Sequence, residues 1–233
     1  MKYPEIKIKI DQKMDQSLAW EFYSNPEIGG CNFWGERALK YHIKLLEMES
    51  AEKQKDFLNK YISDFYKFHI AEINTAKKEI TQNLNEKREE FFLTVDKIFK
   101  KHLWPKNKFT GYLSIFDFCP RFLDSGEFQV FMYDKKNLQL FTIFHEMLHF
   151  IFYDFVQKEF SKEFKKVDTE KGRLWDLAEV FNAVVQDTES FIRLHGKIEN
   201  IGYPDHKNLI LEGKKLWKNN PDLNNWITEM SKI

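Results

Sequence analysis

The chain has 233 residues, 42% of them hydrophobic and 31% charged, and its 36 Lys and Arg balance 36 Asp and Glu to a formal net charge of zero. One domain's length with 23 Phe and 6 Trp supplies a sizeable core and argues against disorder, and zero net charge gives no global reason to expect nucleic acid or an anionic membrane as partner. Two cysteines far apart, Cys31 and Cys119, give no disulfide framework and fit a reducing, cytoplasmic setting.

The first ten residues lack the apolar core of a signal peptide. From Glu5 onward polar and apolar residues alternate, with Ile6, Ile8 and Ile10 on one face. That period of two predicts a half-buried strand over residues 3–10. Residues 36–104 contain neither Gly nor Pro, and apolar residues recur at helical spacing: Leu39, Ile43, Leu46; Phe57, Tyr61, Phe65, Phe68; Ile73, Ile80, Leu84, Phe91. They predict two or three long helices with breaks near Glu49–Lys55 and His69–Thr75. The charges between the stripes read as a solvated face, because the heptads are too irregular for a coiled coil.

Pro105 ends this block. Aromatic and β-branched residues then predict strands over 110–118 and 127–133, joined by a loop from Cys119 to Gly126. Asp134 or Asn137 is placed to cap the helix that follows. Residues 138–156 are apolar enough to raise the question of a membrane span, but no companion span exists and the other helices are heavily charged, so a buried helix is expected. A helix over 173–187 comes next, and after Gly196 and Gly202 two short helices over 205–219 and 221–231. The fold class is therefore α+β, mostly helical with a small antiparallel sheet from 3–10, 110–118 and 127–133. It forms a single domain, 1–233, divided into a helical block at 36–104 and a core at 105–233.

The most specific signal lies in the apolar helix: His145-Glu146-Met147-Leu148-His149. Residues four apart on a helix share a face, so both imidazoles can bind one Zn²⁺. Glu146 is then placed as general base on a metal-activated water. Two histidines and a glutamate inside an apolar helix need a partner, and a metal ion supplies one. A catalytic zinc takes three protein ligands. Glu179, 30 positions after His149 and flanked by Leu177, Ala178, Val180 and Phe181, is the favoured third; Asp176 is the alternative, and Glu170 and Glu189 look more exposed. His195, Tyr203 and His206 follow that helix, and spacing does not choose among them as donor to a developing oxyanion. His42, His69 and His102 read as structural or surface residues. Cys119 reads as a small buried hydrophobe, with a zinc-blocking cysteine as the sharper alternative.

His145-Glu146-x-x-His149 followed by Glu179 on a second helix resembles the zincin metallopeptidases of the gluzincin type. The chain is similar to the minimal gluzincins and to the ImmA/IrrE-like peptidases, in which the ligand acid is often followed by an Asn-Ala-like step, as in Glu179-Val-Phe-Asn182-Ala183. The resemblance covers residues 110–190 and rests on two short motifs. No Gly and third His follow His149 as in metzincins. Ala178 and Ala183 stand where the Asn-Glu-x-x-x-Asp version has Asn and Asp, which leaves Asn182 or Asp187 as partner of a ligand histidine.

The expectation is a soluble, cytoplasmic zinc metallopeptidase, an endopeptidase acting on a peptide or protein substrate. His145, His149 and Glu179 are its zinc ligands and Glu146 its catalytic base, with no nucleic-acid or membrane partner. The alternatives are a catalytically silent zinc-binding scaffold that regulates through protein binding, and a zinc hydrolase of non-peptide amides. The substrate is expected to add as a strand along Tyr112–Phe118.

Overall fold

The structure, a computed structural model, describes residues 3–50, 52–164, 168–199 and 202–233. Strand β1 (Glu5–Ile10) buries Ile6 and Ile8, as its alternation demands. Helix α1 (Gln12–Ser24) follows at once, capped by Asp11, whose carboxylate accepts from the amides of Lys13 (2.9 Å) and Met14 (3.1 Å). A two-residue hairpin, β2 (Glu27–Ile28) and β3 (Cys31–Asn32), turns on Gly29 and Gly30 at φ 57° and 81°. Residues 33–50 are not one long helix. They wind as a π-helical turn (Phe33–Ala38), a single turn α2 (Leu39–Tyr41) and a 3₁₀ stretch (Ile43–Ser50). Asn32 starts this winding by accepting from the amide of Gly35, and the His42 ring pins it between the Tyr61 hydroxyl (2.8 Å) and the Ile115 carbonyl (2.7 Å).

Helix α3 (Gln54–Ile98) runs 45 residues with one non-helical residue, His69, where the sequence predicts a break. The other predicted break falls at the turn before Gln54, and Ala51 within it lies outside the described residues. Then come β4 (Lys108–Ser114), β5 (Arg121–Phe122), β6 (Glu127–Phe131) and α4 (Lys136–Glu159). After them follow α5 (Arg173–Val185), α6 (Glu189–His195), a 3₁₀ turn (Pro204–His206), α7 (Lys207–Asn219) and α8 (Leu223–Met230). Neither Asp134 nor Asn137 caps α4; Lys135 holds the cap position and makes no capping bond.

The sheet corrects the predicted antiparallel arrangement. Its order is β1-β4-β6-β5, and β1–β4 and β4–β6 are parallel. Only the short β5 runs antiparallel, Arg121 opposite Phe128. The reason is the path between β4 and β6. The chain returns along the far side of β6 as β5, then fills the gap, so a short connection joins two parallel strands. β4 is therefore interior, with both edges paired. The next amides are also taken, Ile115 N–H by Asp15 (3.0 Å) and Phe116 N–H by Ser114 Oγ (3.0 Å). No substrate strand can add along Tyr112–Phe116, which overturns the expectation over that part of Tyr112–Phe118.

Helix α4 is apolar all round because it is covered on several sides. Phe144 stacks on Phe91 of α3 at 4.4 Å, Phe150 meets Phe109 of β4 at 4.8 Å, and Phe152 stacks on Phe181 of α5 at 4.7 Å. Burying such a ring contributes about 2 kcal/mol. Among the described residues, no helix is long and apolar enough to cross a membrane.

Candidate metal centre

α4 and α5 pack together, and polar side chains of α5 grip the backbone of α4. Asn182 Nδ2 donates to the His145 carbonyl (2.9 Å), and Gln186 Nε2 to the Phe141 carbonyl (3.0 Å). Glu179, Asn182 and the C-cap residue Gln186 are spaced three and four apart, so they form one polar stripe along α5 and its end, all buried.

Against this stripe the two predicted histidines converge. His145 Nε2 lies 3.2 Å from Glu179 Oε2, His149 Nε2 lies 3.2 Å from Glu179 Oε1, and the two Nε2 atoms are 3.0 Å apart. One ligand atom from each residue falls within 4.8 Å of the others, so His145, His149 and Glu179 could hold a metal ion. Asp176 is not among them; it accepts from His206 Nε2 (2.8 Å). Nor is Asp187, which pairs with Lys214 at 2.6 Å, so of the two expected partners only Asn182 reaches His145, through its carbonyl.

The charges suit a cation. Hydrogen bonding to the imidazoles holds Glu179 well below the usual carboxylate range despite its burial. Burial and the Arg121 charge push His149 down to about 3, so it stays neutral, the form that ligates. Burial also lowers His145, but the Glu179 hydrogen bond and the Glu146 charge outweigh it and raise this ring. At 3.0 Å at least one of the two Nε2 atoms carries no proton, so a bare lone pair faces the Glu179 oxygens. Two imidazole nitrogens and a carboxylate oxygen are a donor set that fits zinc.

Glu146 lies 6% exposed beside the cluster and lines the same cleft, and its carboxylate makes no hydrogen bond among the described residues. Burial raises its pKa to about 7. The cleft encloses about 430 Å³ between α4, the bend at residues 117–119, the turn after β3 and the segment around Tyr203. Of the three predicted oxyanion donors, only Tyr203 lines it. His195 and His206 are both buried elsewhere, against Gly196 O and Asp176. Burial and the charges of Glu179 and Glu146 raise the Tyr203 pKa, so its hydroxyl keeps its proton. Its ring sits 5.3 Å from Trp175 and covers Gly29, where a Cβ would collide with Tyr203 Cδ1. Cys119 also lines the cleft, and burial pushes its thiol up, but it does not belong to the His145–His149–Glu179 cluster.

Sequence reasoning misses Arg121. Its Nη1 lies 3.4 Å from Glu179 Oε1, and its Nη2 donates to the Tyr153 hydroxyl and the Thr169 carbonyl, both at 3.0 Å. A two-residue strand in a predicted loop carries no periodic signal for it. Gln186 is missed too, although a buried polar stripe in an apolar helix is the signal that finds it. Comparison with protein-family models, with curated proteins and with solved structures yields no match to this chain.

Proposed function

We propose that the chain is a zinc-dependent hydrolase of peptide bonds. The observation that carries this reading is the convergence of His145 Nε2, His149 Nε2 and Glu179 on one point, with Glu146 beside them in a cleft. His145, His149 and Glu179 would hold the ion. When bound, zinc supplies a Lewis acid for the scissile carbonyl and makes water a nucleophile near neutral pH.

The other roles belong to the chain. Glu146, poised near 7 by burial, takes the proton of the attacking water and returns it to the leaving amine. The Tyr203 hydroxyl donates to the oxygen that gains charge as the carbonyl is attacked. Arg121 orients Glu179 and offsets part of its buried charge. The two free cysteines fit an enzyme of the reducing cytoplasm. Glu146→Gln tests the reading: it should keep stoichiometric zinc and the fold, and lose about 10²–10⁴-fold in turnover of a mixed peptide library. Turnover equal to the parent chain removes Glu146 from the mechanism. Zinc uptake with no turnover by the parent chain favours the silent scaffold.

A further inference from the structure

The two imidazoles of the cluster present the same nitrogen inward, yet their outer nitrogens are treated differently. Among the described residues, His149 Nδ1 is buried without a partner. His145 Nδ1 lies 3.1 Å from Gln186 Oε1. A glutamine amide can turn either its oxygen or its nitrogen toward a ring, and the ring's tautomer follows from that choice.

Here the far end of the amide decides. Gln186 Nε2 lies 3.0 Å from the Phe141 carbonyl, which can only accept. The NH₂ group must therefore face Phe141, and the amide oxygen must face His145. An amide oxygen only accepts, so neutral His145 carries its proton on Nδ1 and leaves Nε2 bare. That bare nitrogen is the one aimed at Glu179 Oε2 and His149 Nε2. Gln186 is 0% exposed, so water does not compete for either end of the amide. The proton between the two Nε2 atoms then belongs to His149.

We propose that Gln186 is a positioning residue that fixes His145 as the Nδ1–H tautomer, with Nε2 preset to ligate a metal ion, whereas no described residue outside the cluster sets the tautomer of His149. The proposal rests on the reading of His145, His149 and Glu179 as zinc ligands. It reaches past Asn182, which holds only the His145 carbonyl, and assigns a neutral amide where a carboxylate is the commoner partner of a ligating histidine.

The test uses the full chain with ¹⁵N-labelled histidine, without metal at pH 8, and two variants, Gln186→Leu and Gln186→Glu. Long-range ¹H–¹⁵N correlations should report His145 as Nδ1–H in the parent chain, and a mixed or Nε2–H ring in Gln186→Leu. Zinc affinity, read by chelator competition, should fall about 10–100-fold in Gln186→Leu. Gln186→Glu, with its carboxyl proton donated to the Phe141 carbonyl, restores an acceptor at Nδ1 and should return the tautomer and most of the affinity, which a role in packing alone would not do. An Nε2–H His145 in the parent chain overturns the proposal without reference to any variant. So does an unchanged Nδ1–H ring in a folded Gln186→Leu. No zinc uptake by the parent chain overturns the metal-site reading on which the proposal rests; zinc uptake with either contrary spectrum overturns the Gln186 assignment alone.

Discussion

Asp15 on α1 and Glu179 on α5 are both nearly sealed from water, 1% and 3% exposed, but their neighbours differ in kind. Asp15 receives four donors, two on each oxygen: Ser114 Oγ (2.7 Å) and Gln129 Nε2 (2.8 Å), then Tyr66 Oη (2.7 Å) and Ile115 N (3.0 Å). Every favourable direction is filled, and the result ties α1, α3 and the sheet together. Glu179 faces one guanidinium at 3.4 Å and two ring nitrogens at 3.2 Å, at least one of them without a proton. Acceptor against acceptor in a buried site is repulsive unless a cation or a proton lies between them. A buried carboxylate filled by donors is a structural joint, whereas one that faces lone pairs is a seat for a ligand.

The sharpest way to break this contrast is to add zinc. Free zinc at ten-thousandfold excess over its dissociation constant should stabilise the parent chain by about 5 kcal/mol. His145→Ala or His149→Ala should abolish the gain, since two ligands do not close the site, and Glu179→Ala should remove most of it. Asp15→Asn should keep the full increment on a lower baseline. Thermal melts with and without zinc, with elemental analysis of the metal, measure all four. A zinc increment that vanishes in Asp15→Asn, or survives in His149→Ala, breaks the distinction.

The second effect runs the other way. Asp15→Ala leaves four buried donors without their acceptor and should cost roughly 4 kcal/mol in the metal-free chain at pH 7. Urea unfolding measures it. A loss under about 1 kcal/mol would mean that the four bonds are not a joint.

The two carboxylates also differ in how readable they are. Glu179 shows in the sequence because the His145–His149 spacing names a chemistry and an apolar helix thirty residues on offers few acids. Asp15 does not, since its four partners come from α3, β4, the residue after β4, and β6, and no local pattern brings them together. Helix α1 is absent from the sequence reading, although Asp11 as cap and Met14, Leu18 and Phe22 every four residues carry its signal. The place of β1 followed from alternation, and those of β4 and β6 from aromatic and β-branched residues. Strand direction did not, because the return stroke is the two-residue β5, too short to carry a period. The same β5 hides Arg121. Tyr203 could not be separated from His195 and His206 because only tertiary packing brings one of the three to the cleft.

A third, smaller effect is the pH response of the joint. Burial raises Asp15 to about 6 from its ordinary 3.8, against the pull of its four donors. A raised carboxyl binds its proton more tightly in the folded chain. The stability this proton supplies is full below pH 3.8 and is lost as pH rises through about 6. The stability of the parent chain relative to Asp15→Asn should therefore fall by roughly 2.4 kcal/mol between pH 4 and pH 7. Urea titrations at four pH values measure the difference. A flat or rising difference would show that the donors, not burial, dominate at Asp15.

The smallest expected effect separates Glu179 from the other acid of its helix. Asp176 lies one turn earlier on α5, but its carboxylate turns to His206, whose ring stands 4.9 Å from Trp175. Asp176 is 37% exposed at its side chain, so water screens the pair, and its loss should cost under about 1 kcal/mol. Asp176→Ala should leave zinc affinity within about twofold of the parent chain, an effect below about 0.4 kcal/mol, because no atom of Asp176 belongs to the cluster. Chelator competition on Asp176→Ala and Glu179→Ala side by side gives the ranking. Equal weakening in both would move the third ligand off Glu179, and the contrast with Asp15 would lose its second member.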